Sequence, residues 1–445
     1  MNIMSNPRTN QASRAHQAGD LDTHFAGAGY LIDVARTFAP DPTLSADQKF
    51  YATGFGGVLG TTASTISRYT ADGALDTDTT GSGRATWQWP LPSVDEAKRA
   101  VLDVQGLIFG KNDAGVDTIT CVGVTWETVS ARASSFNYFP AAIRLEASGE
   151  PDKSFGEGGV KIYPFVQDPI ENPAWDRRSP AYRSYRATRQ AQGGFLFSCP
   201  LIAGISKKAM YVVVKVNSDG SPDKSYGDDG VLVISPPAGV DAPTWTDYGI
   251  DNAGDMTLVG AEHGYGNGVL SRYGSDGKLD GGYGTGGILV YSVATVDSYI
   301  TQIHVSPDDG STTLLLSLGE PRQCAAVARL LKDGSSDPDF NQGMPVVLTD
   351  VVVPLANLAV DVKGRTVVAG RSVIDPTVLR VIRLTSAGQF DASFGANGSQ
   401  GYPTLLGVDG MAIQNGVDIL LRTNDTDEVD INTAELVRIF GEDMA

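Results

Sequence analysis

The chain has few cysteines, few histidines and a deficit of basic residues. It contains 3 cysteines and 4 histidines in 445 residues, and no cysteine and histidine stand at metal-ligand spacing, so we expect neither a disulfide framework nor a zinc centre. The 34 lysines and arginines are outnumbered by 52 acidic residues, which gives a formal net charge of -18. Because nucleic acids and anionic membranes attract basic surfaces, this charge argues against both as partners and favours a monomer.

Long apolar segments are also missing. The sequence has no run of about 18 apolar residues, so no membrane span is expected. The first residues, MNIMSNPRTNQASRAHQAG, are polar and lack the apolar centre of a cleavable signal peptide. We therefore expect a cytoplasmic protein, with export by a route that needs no cleaved signal as the alternative.

Helix signals are weak, whereas glycine is abundant at 52 residues, which is typical of short strands and tight turns. The chain instead repeats one pattern: a basic residue, then glycine five positions later, aspartate eight later and an aromatic residue eleven later. A repeat of this regularity determines the architecture of the whole chain. Clear copies occupy Ile143–Gly156, Lys215–Gly227, Ser271–Gly284 and Ile382–Gly395, and weaker copies begin at Ser13, Ser67 and Ala328.

Eight basic residues mark the repeats and enclose seven units. Each unit contains four short apolar runs joined by turns, which indicates an antiparallel meander. Because one such sheet cannot bury both of its faces, whereas seven packed radially can, we predict an all-β, seven-bladed β-propeller of four-stranded antiparallel blades. A stacked solenoid is the alternative. The runs of one unit are Ile288–Val293, Tyr299–Val305, Ser311–Leu318 and Cys324–Leu331, and the marking residues are Arg14, Arg68, Arg144, Lys215, Arg272, Arg329, Arg383 and Arg438.

Both ends of the chain carry a copy of the same repeat position, near Arg14 and at Leu436–Phe440. We therefore predict a seam between blades 7 and 1 near both termini. Residues 1–20 are interpreted as an N-terminal arm, and residues 21–445 as a single propeller domain. Leu436–Phe440 is predicted to be the fourth strand of the last blade, and the sequence leaves open which terminus completes the seam.

Each residue type of the motif has an expected structural role. We predict that the motif joins the fourth strand of one blade to the first strand of the next. A pair such as Asp276-Gly277 supplies a turn with positive φ at the glycine. The later aspartate, such as Asp280, is expected to accept hydrogen bonds from turn amides and to pair with the basic residue. The aromatic residue, such as Phe155, is expected to wedge between blades. Calcium binding by the aspartates is the functional alternative.

The element Arg…Asp-Gly-x-x-Asp-x-x-Phe-Gly-x-x-Gly resembles the delta-60 repeat of bacterial proteins, a β-propeller family with little functional assignment. The resemblance covers essentially the whole chain. The sequence departs from the pattern at Thr79, where the aromatic residue is missing, at Ala387, and at Asn341-Gln342. The resemblance implies a fold and does not imply a reaction.

Loop lengths point to one face of the propeller as the functional one. Strand direction alternates, so the motif loops fall on one face and the connections of variable length fall on the other. A rigid scaffold with variable loops on one face is where binding usually resides. We therefore predict a ligand- or protein-binding scaffold that takes a protein or glycan through that face, at loops 90–99, 125–140, 166–189, 236–247 and 261–267.

The candidate ligand-binding residues are arginine, aromatic and histidine side chains of these loops. Arginine and aromatic residues together favour interfaces and anionic or sugar ligands, and pairing of the arginines with local carboxylates is the alternative. The candidates are Trp175, Arg177, Arg178, Arg183, Tyr185, Arg186, Trp245, His263 and Tyr265.

The sequence assigns no catalytic residue. An alternative to the binding scaffold is a carbohydrate-active hydrolase or lyase, in which carboxylates from different blades meet at the mouth of the channel. No cofactor is expected. The acidic cluster Asp425, Asp427 and Asp430 is a weak candidate for Ca²⁺, and a solvated loop is the preferred interpretation.

Overall fold

A computed structural model gives the fold of most of the chain. Among the described residues, the regular secondary structure is β-strand, apart from two single 3-10 turns at Phe25–Gly27 and Asn341–Gly343. Within the described residues, no helix is long and apolar enough to cross a membrane. The structure describes residues 16–32, 37–40, 49–58, 61–77, 84–87, 102–128, 136–163, 187–190, 194–203, 208–234, 244–261, 267–293, 296, 298–319, 324–403, 405, 407–424 and 435–443.

The strands are short and rich in β-branched and aromatic residues, which suit a pleated, buried surface. In chain order they are β1 Leu31–Ile32, β2 Thr37–Pro40, β3 Phe50–Val58, β4 Thr61–Tyr69, β5 Arg84–Trp87, β6 Asp103–Lys111, β7 Asp117–Thr128, β8 Phe136–Glu146, β9 Val160–Ile162, β10 Ala187–Arg189, β11 Phe195–Ala203, β12 Lys208–Val216, β13 Val231–Ile234, β14 Thr244–Ile250, β15 Met256–Ala261, β16 Gly268–Tyr273, β17 Ile288–Tyr291, β18 Ser298–Val305, β19 Thr312–Leu318, β20 Cys324–Leu330, β21 Val346–Leu348, β22 Val352–Val360, β23 Thr366–Arg371, β24 Leu379–Leu384, β25 Ser399–Tyr402, β26 Gly407–Gln414, β27 Asp418–Asn424 and β28 Glu435–Ile439.

These strands form antiparallel four-stranded sheets arranged as a propeller. Six sheets are built from strands consecutive in sequence, namely β2–β5, β6–β9, β10–β13, β14–β17, β18–β21 and β22–β25, and we number them blades 1 to 6. The remaining sheet has the order β1-β28-β27-β26, and we call it the composite blade. Leu31 of β1 pairs with Leu436 of β28. Its outer strand therefore comes from the N-terminal end of the chain, and its other three strands come from the C-terminal end.

The predicted seven-bladed propeller is therefore wrong, because the structure has six blades of four consecutive strands, and the remaining sheet is the composite one. The four-stranded antiparallel form of the blades is confirmed. The error has a simple origin. The strand before the motif pairs with the strand after it, as when Leu270 of β16 pairs with Leu289 of β17, so the motif lies inside a sheet and not between two sheets. The predicted units are consequently shifted by one strand. Ile288–Tyr291 closes blade 4, and β28 is the third strand of its sheet and not the fourth.

The apolar core lies between neighbouring sheets and not within one of them. Phe155 of blade 2 packs with Val212 and Val214 of blade 3, and Leu436 of the composite blade packs with Phe50 of blade 1. Every core cluster of the described residues is shared in this way by two neighbours, and the clusters together close the ring. The middle strands are therefore buried on both faces, as β15 and β19 are at every position.

The two ends of the strands define two faces of the ring. Connections between the first and second strands, and between the third and fourth strands, lie on one face, which we call the motif face because the motif is the third-to-fourth connection. Connections between the second and third strands, and from each sheet to the next, lie on the opposite face. We call this the variable face, since the connections of unequal length begin and end there.

Candidate functional site

The best-defined polar arrangement of the molecule is the motif itself, and blade 2 shows its form. Arg144 Nε lies 2.7 Å from Asp152 Oδ2, and the Arg144 Cζ lies 4.7 Å from the centroid of the Phe155 ring. Both charged side chains are buried, with exposed fractions of 7% and 2%. The other carboxylate oxygen, Asp152 Oδ1, accepts hydrogen bonds from the backbone and the hydroxyl of Ser154, at 3.0 and 2.6 Å. The predicted pairing and the predicted turn role of this aspartate are both present.

The motif of blade 2 also reaches into blade 3. Arg144 Nη1 donates to the carbonyl of Ser218, and Gly156 N–H donates to the carbonyl of Asp219 at 2.8 Å. The Phe155 ring, which is fully buried, stacks on Phe195 of blade 3 at a centroid distance of 6.2 Å. Charge pairing, backbone hydrogen bonding and an aromatic wedge therefore join the two blades. We call this unit the inter-blade staple.

The staple recurs around the ring with graded burial. Its basic residue contacts the aspartate in each described copy, and a cation lies over the aromatic ring in most of them. The pairs are Arg68–Asp76 at 2.8 Å, Lys215–Asp223 at 3.2 Å, Arg329–Asp337 at 2.5 Å and Arg383–Asp391 at 2.7 Å, and the cation-to-ring distances are 5.6 Å for Lys215 over Tyr226, 4.8 Å for Arg329 over Phe340 and 4.7 Å for Arg383 over Phe394.

Blade 4 departs from this arrangement. Arg272 is fully buried, but its Nε lies 3.7 Å from Asp280 Oδ2, and its Nη2 instead contacts Asp251 at 2.6 Å and Asp255 at 3.2 Å. Lys332 of blade 5 contacts the same two carboxylates, at 3.3 and 3.1 Å. This ion cluster still joins two blades, but it does so through the first-to-second turn of blade 4.

The composite blade contains the same staple, and its parts come from opposite ends of the chain. Arg438 Nη2 on β28 lies 2.5 Å from Asp22 Oδ2, and the Arg438 Cζ lies 5.1 Å from the centroid of Phe25. Arg438 Nη1 donates to the carbonyl of Ala71 in blade 1 at 2.7 Å. The termini therefore meet inside one sheet and not between the predicted blades 7 and 1, and both contribute to that sheet and to one staple.

The chain ends meet within a single β-turn. Gly19 N–H donates to the carbonyl of Phe440 at 2.8 Å, as Gly220 N–H donates to the carbonyl of Asn217 at 3.0 Å in the uninterrupted copy of blade 3. The two glycines have φ values of 95° and 87°, a region that favours glycine. Ala18 N–H also donates to Asp443 Oδ1 at 2.8 Å. In the other blades this turn is one continuous segment of chain. In the composite blade two separate segments form it on the motif face, and hydrogen bonds join them.

A second set of inter-blade contacts lies on the inner strands and was missed by sequence reasoning. Asp247 Oδ2 accepts a hydrogen bond from the Ile303 N–H of the next blade at 2.9 Å, and Gln302 Oε1 accepts one from the Leu358 N–H at 2.6 Å. Asn357 Nδ2 donates to the carbonyl of Val408 in the composite blade at 3.2 Å. The three polar residues are equally spaced along the chain, and this spacing is the one feature of the sequence that points to a shared role.

Asp247 is an inner-strand carboxylate of the kind that the hypothesis of a carbohydrate-active enzyme requires, but its oxygens are engaged in structural hydrogen bonds. Asp247 is 1% exposed, and its Oδ1 accepts a hydrogen bond from the Tyr248 N–H at 2.9 Å while Oδ2 accepts the inter-blade bond. Both oxygens are therefore used in the wall of the ring. In the part of the chain that the structure describes, no group of three or more histidine, cysteine or acidic side chains is arranged to hold a metal ion.

Most of the predicted binding residues fall outside the described residues. These are Trp175, Arg177, Arg178, Arg183, Tyr185, Arg186, His263 and Tyr265, together with the acidic cluster Asp425, Asp427 and Asp430.

The structure does place Trp245. It lies in β14, because that strand begins at Thr244 inside the predicted loop 236–247. Trp245 is 7% exposed and belongs to the core cluster between blades 3 and 4. Strands likewise extend into the predicted loops 125–140 and 166–189, through β7, β8 and β10.

On the variable face, the connection from β23 to β24 at residues 371–379 is described in full. Asp350 holds it: its Oδ1 accepts hydrogen bonds from the Ser372 hydroxyl and from the Ile374 N–H, and its Oδ2 lies 2.8 Å from Arg380 Nη2. The Ile374 side chain is nevertheless 79% exposed. A loop that is held by hydrogen bonds and that presents an aliphatic side chain to solvent is preorganised for contact with another molecule.

The two cysteines whose side chains the structure describes are Cys121 and Cys324. Burial raises the pKa of Cys121 to about 12 and also raises the pKa of Cys324. A thiol that stays protonated at neutral pH is a poor nucleophile and a poor metal ligand.

Two staples carry tyrosine where others carry phenylalanine. The hydroxyls of Tyr226 and Tyr283 are buried and have no hydrogen-bond partner among the described residues, and burial raises the pKa of both phenols. We predict that Tyr283→Phe leaves the free energy of unfolding unchanged or raises it by up to about 1 kcal/mol, because an unpaired buried hydroxyl is costly. Urea unfolding measures this. Tyr402→Phe is the control, since the Tyr402 hydroxyl donates to the carbonyl of Gly19 at 2.6 Å, and it should lower stability by about 1 kcal/mol. Equal losses in both variants would contradict the prediction.

We predict that the protein loses stability in acid, because the aspartates of the staples have lowered pKa values. Burial alone would raise the pKa values of Asp152 and Asp391, but the serine hydrogen bonds and the arginine charges lower both below the usual value. Their contribution to stability is therefore complete above the pKa of an unfolded aspartate, about 3.9, and declines as the pH falls towards their folded values. We expect urea unfolding to show a smaller loss between neutral and acidic pH for Asp152→Asn than for the unmodified protein. An unchanged pH dependence would show that Asp152 does not contribute.

Comparison with known proteins supports a β-propeller family and no particular function. A family profile described as "Domain of unknown function (DUF5122) beta-propeller" matches residues 364–394, which include the staple of blade 6. The resemblance to the delta-60 repeat remains a prediction. No curated protein matches the chain.

Solved structures with similar folds are distant. Prolyl oligopeptidase B from Galerina marginata has 12% identity and a TM-score of 0.42, with 95% of this chain and 53% of that chain covered. This chain thus spans about half the length of that enzyme. The polysaccharide lyase Uly1 has 9% identity and a TM-score of 0.45, with coverages of 98% and 94%. Drosophila Semaphorin 2a has 8% identity and a TM-score of 0.46, with coverages of 96% and 75%. These similarities are too low to indicate an activity or a ligand.

Proposed function

We propose that the protein is a binding scaffold that takes a protein or glycan ligand on its variable face. The observation that carries this proposal is the engagement of the repeated charged residues of the motif face in staples. Arg144, Arg383 and Arg438 each contact an aspartate, an aromatic ring and a carbonyl of a neighbouring blade. These side chains hold neighbouring blades together. The regular recurrence of the motif residues therefore has a structural cause, and ligand binding is left to the opposite, variable face.

The position of the chain ends supports the same face. The split turn places Gly19 and Phe440 on the motif face, opposite the variable loops. The hydrogen-bonded connection at residues 371–379, with Ile374 exposed, supports a preorganised surface on the variable face. A ring with stable blades and variable connections supports binding by loop variation.

The arginine-rich segment suggests an anionic group in the ligand. In the sequence, Arg183 and Arg186 stand between β9 and β10, in a chain whose formal net charge is -18. Guanidinium groups bind carboxylates and phosphates with two parallel hydrogen bonds. A glycan that carries uronate or sulfate groups, or an acidic protein surface, has the matching chemistry.

The proposal is tested on an array of neutral, uronate-containing and sulfated glycans. We expect binding to anionic glycans, weakened at least about tenfold by the variant Arg183→Ser/Arg186→Ser. The matched control is Lys153→Ser/Lys224→Ser, which removes the same charge from exposed positions of the motif face and should leave binding unchanged. Binding that is lost in the control and kept in the arginine variant would place the site on the wrong face.

The same experiment separates binding from catalysis. A bound glycan that is recovered intact supports a scaffold. Shortening of the glycan during incubation, followed by size-exclusion chromatography, would replace the proposal with the alternative of a carbohydrate-active enzyme.

A further inference from the structure

Three asparagines of the chain are followed by glycine: Asn267, Asn397 and Asn415. In such a pair the backbone nitrogen of the glycine can attack the asparagine Cγ, because glycine has no side chain to shield its own amide. The new N–Cγ bond closes a succinimide, the Cγ–Nδ2 bond breaks, and ammonia leaves with the proton of the glycine amide. Water then opens the ring at either carbonyl and leaves aspartate or isoaspartate. The fold decides which pair can react, since the attacking nitrogen must be free to move.

Two of the three glycine amides are held in place. Gly398 N–H donates to the carbonyl of Phe394 at 2.8 Å, and the Gly398 carbonyl accepts a hydrogen bond from Arg383 N–H at 2.9 Å. Gly268 begins β16 and is paired on both sides, with Ala261 and with Tyr291. Movement of either nitrogen towards the preceding side chain would break a turn or a sheet.

The third pair lies at a hairpin tip. Asn415 and Gly416 stand in the loop between the paired residues Gln414 and Asp418, with φ values of 57° and 76°. Asn415 is exposed. Among the described residues nothing accepts a hydrogen bond from the Gly416 N–H, and its carbonyl accepts one from Val362 at 3.0 Å. The Asn415 side-chain amide donates to Asp418 Oδ2 at 3.0 Å, a contact between two residues of the same hairpin.

We propose that Asn415 is a site of spontaneous deamidation and that it reacts faster than the two other Asn-Gly pairs because of the fold. The reaction replaces a hydrogen-bond donor to Asp418 by a second carboxylate, so an attraction becomes a repulsion. Isoaspartate additionally inserts a methylene group into the backbone next to Gln414. Gln414 donates to the carbonyl of Ala71 at 3.2 Å and lies 3.5 Å from Arg438 Nη1, so the change falls beside the seam.

Incubation of the folded full chain at mildly alkaline pH, followed by peptide mapping with mass spectrometry and isoaspartate detection, tests the proposal. We expect conversion at Asn415 to be roughly five to ten times faster than at Asn397 and Asn267, the ratio expected when one hydrogen bond must be broken first. Conversion at Asn397 as fast as at Asn415 would overturn the proposal.

A second measurement separates the fold from the local sequence. In concentrated urea all three pairs should react at similar rates. A preference for Asn415 that persists in the unfolded chain would show that the neighbouring residues, and not the free amide of the hairpin, cause it. The variant Asn415→Gln should lack the fast phase in the folded protein. Neither readout depends on the ligand of the variable face, so failure here leaves the proposed function untouched.

Discussion

Removal of residues 1–32 is expected to leave the ring open and to abolish cooperative folding. The deletion takes away the outer strand β1, which pairs with β28, and the staple partners of Arg438, namely Asp22 and Phe25. Arg438, in a largely buried position, would lose its buried partner and keep only the exposed carboxylate of Asp72 at 3.3 Å. Breaking such a buried pair costs about 3–5 kcal/mol. That is a large part of the stability of an ordinary domain. Circular dichroism and urea unfolding measure the loss.

A shorter deletion and an added peptide provide the controls. Deletion of residues 1–15 keeps the closing segment 16–32, and we expect it to leave the unfolding midpoint unchanged. A synthetic peptide of residues 16–32 should restore a cooperative transition to the longer deletion in a concentration-dependent manner, because binding to the folded ring stabilises it. A longer deletion that unfolds like the complete chain would show that the N-terminal segment does not close the ring.

Asp152→Ala is expected to lower the free energy of unfolding by about 3–5 kcal/mol. The substitution leaves Arg144 charged, 7% exposed and without its partner at 2.7 Å, and an unpaired buried charge is among the most costly defects in a protein. The backbone and hydroxyl hydrogen bonds from Ser154 are lost as well. Urea unfolding of the purified variant gives the value.

Two further variants show whether burial causes that loss. Asp223→Ala removes the equivalent carboxylate in blade 3, where Lys215 and Asp223 are 13% and 23% exposed and 3.2 Å apart, and it should cost no more than about 1 kcal/mol. The double variant Arg144→Met/Asp152→Leu should recover most of the loss, because it removes both charges. Equal effects of Asp152→Ala and Asp223→Ala would contradict a role for burial.

The regular motif allowed the propeller architecture and the staple contacts to be predicted from sequence. The three residues Arg144, Asp152 and Phe155 lie within twelve positions of the chain, and their side chains meet. Contacts between residues so close in sequence can be predicted from their spacing. The assignment of strands to sheets failed because it depends on long-range pairing. A turn motif that separates β16 from β17 does not show whether those strands pair with each other, and in this fold they do.

The functional site was less predictable for physical reasons. Trp245 falls inside the predicted loop 236–247, yet it lies on an inner strand and packs in the core. The inner-strand contacts of Asp247, Gln302 and Asn357 join different blades, so no local pattern shows their partners. Their equal spacing indicated a shared role but not the hydrogen bond that each one makes.

The central claim is that one staple, divided between the two ends of the chain, closes the ring. A double-mutant cycle of Asp22→Ala, Arg438→Met and the double variant tests it most directly, with urea unfolding as the readout. The contact of 2.5 Å between Arg438 Nη2 and Asp22 Oδ2 predicts a coupling free energy of about 2 kcal/mol, with each single variant strongly destabilised. Effects that add to within about 0.5 kcal/mol would show that Asp22 and Arg438 do not interact and would contradict closure of the ring by this staple.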